Sequence, residues 1–285
     1  MRIGVGLPSN VAGVDGPAIR RWAVRAEEIG FSSLVVTDRF AWNQLEPLAV
    51  LAAASAVTES ITLRTSVLLV PNRVSAPQLA KQLATLDRLA GGRLVVGVGV
   101  GDREIDYRLA GASHRGRHTR LDAMLDEMQA LWSGVTAESR VVGPRPPSPI
   151  PLMIGGSGAA TWRRVAKYGI GWTMALGGLA EFRLGAAETR DTWAGAGRAG
   201  RPVLAVQRYF SALPANEEAA QDWVRNYFSF LPAPAVDHLV LGAPTNAGAI
   251  EGAAGAFADV GADELAFLPT TADLGELEAL AALVL

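Results

Sequence analysis

Cysteine is absent from the 285-residue chain, which excludes disulfides, iron–sulfur clusters, zinc–thiolate sites and thiol nucleophiles in one step. Histidine is scarce, with three copies. His114 and His118 stand four apart, but no carboxylate lies at metalloprotease spacing, so solvated loop and helix-start positions are expected and a metal site is not. His238 falls in a late proline-rich region expected to be a loop, and no GxSxG occurs, so a Ser-His-Asp hydrolase has no support. GxxxxGK[ST] is missing as well. Neither sign of charge is in excess: a formal net charge of -2, with both signs scattered, argues against nucleic-acid and anionic-membrane partners. No apolar run reaches the ~18 residues that a membrane span needs. The opening MRIGVGLPSN runs straight into an apolar strand without a signal-peptide layout, so a cytoplasmic protein is expected.

What is present is apolar and alternating. Hydrophobic residues make up 49% and charged residues 19%, enough to build a large core. The segment Ile61 to Gly101 shows the organisation most clearly. Ile61 to Leu69 and Arg93 to Val98 are Val-, Leu- and Ile-rich runs without polar alternation, as in strands covered on both faces. Between them Ser75 and Gln78 make a capping-box pattern, Leu79, Leu83, Leu86 and Ala90 recur at helical spacing, and Gly91-Gly92 ends the helix. Further strands are expected at Ile3 to Leu7, Ser33 to Thr37, Ile150 to Ile154, Ile170 to Thr173, Val203 to Leu213 and Glu264 to Leu268, each followed by a helical pattern. Strand–helix alternation of this kind predicts an α/β fold, a single (β/α)8 TIM-type barrel over residues 1–285. The longest loops are expected after the fourth strand (Asp102 to Gly116) and after the seventh (Pro232 to Thr245).

In such a barrel the site lies where the C-terminal ends of the strands meet their loops. That rule selects Asn10, Asp38, Arg39, Ser66, Val67, Asp102, Gly156 to Gly158, Trp172 and Arg208. The fourth strand ends in Gly97-Val-Gly99-Val100-Gly101, where bare backbone admits a flat ligand. Gly155-Gly156-Ser157-Gly158 joins a strand to a helix beginning at Ala159, so free N–H groups and the positive helix end converge in a phosphate cradle. The alternative is a glycine-rich turn that binds nothing; it is not a dinucleotide fingerprint, because Thr161 occupies the third glycine position. Asp38-Arg39 reads either as an internal ion pair at the rim or as an anion or ring contact. Trp42 could wall a planar ligand or simply pack.

Taken together, AEEIGFSSLVVTDRF (Ala26 to Phe40), ITLRTSVLLVPNR (Ile61 to Arg73), QLATLDRLAGGRLVVGVGVG (Gln82 to Gly101) and PLMIGGSG…VAKYGIGW (Pro151 to Trp172) resemble the luciferase-like monooxygenase family, in its coenzyme F420-dependent branch. The resemblance implies a deazaflavin across the barrel mouth, two-electron redox chemistry on a small-molecule substrate and a homodimer. It implies a non-prolyl cis peptide at Ser66-Val67 backing the cofactor ring, contacts from Gly99, Val100 and Gly101, and a phosphate loop over Gly155, Gly156, Ser157, Gly158 and Ala159. Asp38, Arg39 and Asp102 are the expected catalytic residues: Asp38-Arg39 stands where several members carry Asp-His, and Asp102 matches a position that is acidic in some deazaflavin-dependent dehydrogenases of the family. Several members carry histidine where this chain has Arg39; arginine stays protonated and cannot act as an ordinary base, so its expected role is fixed charge facing an anion or Asp102 across the mouth. Val100 stands where the FMN-binding chain of bacterial luciferase has arginine, which favours F420. The alternatives are an FMN-dependent monooxygenase using reduced flavin and O2, and a flavin-binding protein without catalysis.

Overall fold

The computed structural model describes residues 1–134, 142–175 and 177–285. Its order begins β1 (Arg2–Gly6), α1 (Gly16–Ile29), β2 (Ser33–Val36), α2 (Pro47–Ser55), β3 (Thr62–Leu69) and α3 (Ala76–Leu89). β4 (Leu94–Gly99) is followed by α4 (Glu104–Leu109) and α5 (Arg117–Ser133). Then come β5 (Leu152–Gly155), α6 (Ala159–Tyr168), β6 (Gly171–Met174) and α7 (Leu179–Gly195). β7 (Val203–Phe210) leads into α8 (Glu217–Tyr227), α9 (Ala233–Leu241) and α10 (Ala247–Asp259), and β8 (Glu264–Pro269) and α11 (Gly275–Val284) close the chain. All strand pairings are parallel and β8 returns to β1, so the sheet is a closed eight-stranded barrel, as expected.

Helix starts follow local chemistry. The side chains of Asp15, Glu46, Ser75 and Asn246 each accept an amide N–H from the first turn of α1, α2, α3 and α10, satisfying donors that have no helical partner. Two expectations fail. Asp102 to Gly116 and Pro232 to Thr245 are not simply loops: they contain α4 and α9. α4 has six residues, too few for its periodicity to be legible. In α9 Pro234 lies in the first turn, where a missing N–H costs nothing and φ is preset for the helix. His238 therefore sits on a helix.

Contacts between strands that are not neighbours identify the inner face. Arg64 of β3 reaches Glu264 of β8 at 3.7 Å, and Ser66 of β3 meets Thr173 of β6 at 3.5 Å between hydroxyl oxygens. Since facing residues in register share a side, Ala205, Gln207 and Tyr209, paired with Glu264, Ala266 and Leu268, also point inward, whereas Arg208 points out. The outward residues, among them Leu63, Val96, Ile154 and Leu204, pack with Trp22, Leu83, Leu125 and Val165 of the helices in the main core. A second cluster joins the inner-face residues Val35, Tyr209, Ala266 and Leu268 to Val224, Tyr227 and Phe228 at α8 and Val236 and Val240 of α9. The α8–α9 hairpin thus lies over the mouth on the β7–β8–β2 side, leaving the ends of β3 to β6 outside this cap.

Candidate functional site

The floor of the uncapped half is a bulge in β3. The β3–β4 register shifts between Thr65 and Leu68, and the Ser66–Val67 peptide is cis, as the resemblance implies. Val67 lies against β4 and β5: a Cβ on Gly99 would come 2.6 Å from one Val67 methyl and a Cβ on Gly155 2.6 Å from the other. A Cβ on Gly97 would collide with the Thr65 carbonyl oxygen. Gly97 and Gly99 are bare to admit the bulge. Gly101, at φ +65°, faces Leu69, and the Val100 carbonyl accepts the Tyr107 hydroxyl.

Beside this floor stands the glycine loop. Gly156 and Gly158 have φ of +109° and +85°, a region that L side chains avoid, so the loop's path depends on glycine. Trp172 Nε1 donates to the Gly156 carbonyl at 2.8 Å, and Thr161 Oγ1 donates to the Ser157 carbonyl at 3.0 Å. With the loop's carbonyls held in this way, α6 begins at Ala159, where the amides of Ala159 and Ala160 lack helical acceptors while that of Thr161 donates to the Gly158 carbonyl. A cavity of about 520 Å³ adjoins it, lined by Gly156, Ser157, Trp162, Trp172, Asp102 and Glu181. Trp172 itself faces outward, stacked on Phe182, and acts by positioning the loop.

The expected catalytic residues do not converge. Asp38 accepts from Arg73 at 2.6 Å and from the Leu69 amide at 2.9 Å, stapling the end of β2 to that of β3 just past the bulge. Burial pushes its carboxyl up, with Arg73 opposing. Asp38 and Arg39 form no pair with each other: Arg39 is buried, donates to the Tyr227 carbonyl, and stands over the rings of Tyr227, Trp42 and Phe230 at 4.3, 4.5 and 5.0 Å from their centroids. Burial lowers its pKa. Asp102 is exposed and pairs with Arg117 at 2.9 Å, so it does not face Arg39 across the mouth. Trp42 packs against Tyr227 and Trp223 and donates to the Asn10 carbonyl. Arg39 is thus the centre of an aromatic clamp on the hairpin cap, with Arg103 of the β4 end on Phe230 at 4.8 Å.

Residues the sequence reading missed include Thr173 and Gln207 on the inner face. The signal for Gln207 was available: in Leu204-Ala-Val-Gln-Arg-Tyr-Phe210 the large apolar residues alternate with a different set. Among the described residues, buried polar atoms of Asn10 (Oδ1), Asn72 (Oδ1 and Nδ2) and Gln207 (Oε1) have no hydrogen-bond partner. Unsatisfied buried amides of this kind are rare in folded proteins, and these three lie past β1, past β3 and on the inner face of β7.

Comparison with known proteins agrees with this architecture. The model of the family described as luciferase-like monooxygenase matches residues 1–275. An F420-dependent glucose-6-phosphate dehydrogenase from Beutenbergia cavernae is 32% identical over 173 residues, covering 55% of this chain and 52% of that protein. The chain therefore matches about half the length of that curated relative. An F420-dependent secondary alcohol dehydrogenase, solved with an F420-acetone adduct, superposes with a TM-score of 0.82 at 17% identity, covering 99% of this chain and 98% of the other. A monooxygenase from Streptomyces bottropensis superposes with a TM-score of 0.81 at 20% identity, covering 99% and 97%. At such identities the two structures speak for the fold.

Proposed function

Given that the chain belongs to the luciferase-like monooxygenase family, we propose that it is an oxidoreductase that binds coenzyme F420 and exchanges a hydride with a small organic substrate. The observation that carries this reading is the juxtaposition of a bulged floor, Ser66-Val67 on Gly99 and Gly155, with the helix start at Gly156 to Ala159. The residues present fit a flat, phosphate-bearing group. The floor offers a surface for a planar ring, the unpartnered amides of Asn10, Asn72 and Gln207 offer donors and acceptors for its polar edges, and the α6 start suits a phosphate. The F420-dependent curated relative favours F420 over FMN. Bound there, the deazaflavin would supply a two-electron hydride acceptor or donor. The chain's own residues would bind, orient and exclude water. Arg39 holds the cap, Asp38 and Arg73 hold the β2 and β3 ends, and Trp172 holds the phosphate loop. With Arg39 unable to act as a base, a proton is exchanged through solvent or the exposed carboxylates Asp102 and Glu104.

Titration of the protein with F420 and with FMN, each followed by fluorescence, tests the reading. F420 is expected to bind at least about ten-fold more tightly, a difference of ~1.4 kcal/mol. FMN binding the more tightly would replace it with the flavin monooxygenase reading.

The phosphate loop makes a separate prediction. Gly158→Asp places a carboxylate at the anion site and should weaken F420 binding by at least ~30-fold. Gly156→Ala adds no charge but strains a left-handed residue by ~1–2 kcal/mol and brings Cβ to 3.1 Å from Thr161 Oγ1. Its loss is expected to be smaller. Unchanged affinity in both variants would put the phosphate elsewhere.

A further inference from the structure

A second cavity, of about 400 Å³, lies between the ends of β6 and β7 and the helices α7 to α10. Its inner end is formed by Gln207 and Tyr209 of β7 and by Ala175, two residues on from Thr173, which meets Ser66 of the floor. One wall is aromatic, with Phe228 and Phe257; the other is made of small residues of α9 and α10, including Ala243, Gly252 and Ala253. At its base is Arg208. Among the described residues this guanidinium contacts the carbonyl oxygens of Gln207, at 2.7 Å, and Gly177, and lies over the Phe257 ring at 4.5 Å; no carboxylate pairs with it. Glu181 attracts it from a distance, but that carboxylate is engaged with the Gly178 amide at 2.8 Å at the start of α7. Arg208 is half-buried at the cavity, and desolvation lowers its pKa to about 10; among the described residues the charge has no ion-pair partner. A nearby anion would stabilise such a partly desolvated charge.

We infer that this cavity is the substrate site of the proposed oxidoreductase and selects an organic acid, an apolar body carrying one carboxylate that pairs with Arg208. The assignment rests on the F420 reading for its redox role but not for its binding chemistry. The volume is that of a small-molecule site. A planar carboxylate matches the N–H groups left over on a guanidinium whose face is stacked on Phe257 and whose Nη1 and Nη2 each make one hydrogen bond. His238 at the rim adds an imidazole N–H donor. A monoanion fits better than a phosphate dianion, because the lining includes one arginine and one histidine and is otherwise mainly apolar. The same walls offer few partners for hydroxyls, each of which costs about 1–3 kcal/mol when buried unpaired. The glucose 6-phosphate in the relative's name therefore does not suit this cavity.

Calorimetric titration of the full chain, without cofactor, with hexanoate and with its neutral counterpart hexanamide tests the assignment. Hexanoate is expected to bind at least ~10-fold more tightly, Arg208→Gln to abolish that preference and Arg208→Lys to keep part of it. Should Arg208→Gln fail to fold, Gly252→Leu gives an independent answer. Gly252 lines the cavity and a Cβ on it meets nothing within 4 Å, so leucine is accommodated there without a clash and, by narrowing the cavity wall, should weaken hexanoate by at least ~10-fold. F420 affinity, measured by fluorescence, should stay within about two-fold in both variants, since the floor and phosphate loop lie outside the cavity and Gln207, which the two sites share, is left in place. Absence of hexanoate binding, equal affinity for the two probes, a preference that survives Arg208→Gln, or indifference to Gly252→Leu would each overturn the assignment. A protein that discriminates hexanoate through Arg208 but fails to bind F420 would instead refute the F420 reading and leave the acid site standing.

Discussion

Gly97→Ala is expected to cost at least ~4 kcal/mol of stability, or to prevent soluble folding, and to remove F420 binding with it. A Cβ at this position collides with the Thr65 carbonyl oxygen, a backbone atom of the neighbouring strand that cannot rotate away. The same carbonyl belongs to the segment where β3 slips register against β4, so relief would undo the floor itself. Gly99→Ala is the informative contrast. Its Cβ meets a Val67 methyl at 2.6 Å, a side-chain atom, so the cost is that of overpacking, about 1–3 kcal/mol. Removing the methyls should return part of it: Val67→Ala with Gly99→Ala should be more stable than the sum of the single losses by ~1 kcal/mol or more. Denaturant melts of the four proteins measure the coupling. Additive losses at Gly99 and Val67, or a Gly97→Ala protein of ordinary stability, would show that the glycines are not there for the bulge.

Arg39→Ala should lower stability by ~2–4 kcal/mol, roughly 6–12 °C in melting temperature, and loosen the α8–α9 cap. The guanidinium joins three aromatic rings to the Tyr227 carbonyl, and its loss leaves that oxygen unpartnered beneath a cavity. Arg39→Lys keeps the charge but not the planar face, so it should fall between wild type and alanine. Activity is expected to follow stability, and the pH optimum to stay where it was, because no proton donor is removed. Protease nicking within residues 228–232, measured against intact protein, reports the cap separately from global unfolding. A stable Arg39→Ala protein with intact cap but lost turnover would restore the charge to the chemistry.

Most of the barrel was legible because its information is local. Strands buried on both faces read as apolar runs, helices as amphipathic stripes, and caps such as Ser75 and Asn246 act within one turn. The glycine loop was legible for the same reason, since Gly155 to Ala159 joins a strand to a helix. α9 was hidden by Pro234, whose meaning depends on whether a helix starts there.

The amino-acid sequence alone determined the alternation, the eight-stranded closure and the likeness of the glycine-spaced strand end and phosphate loop to one family. Tertiary structure alone decided what those residues face. Asp38 and Arg39 are neighbours in the chain, yet one is spent on Arg73 and the Leu69 amide and the other on the aromatic clamp, with partners up to 188 residues away. Arg208 and Gln207 likewise point to opposite sides of one strand, the first outward and the second inward, where both meet one cavity at the strand end. A residue's type sets what it can bond; only the closure of distant segments over it sets which bond is made, because burial and pairing are properties of the assembled neighbours.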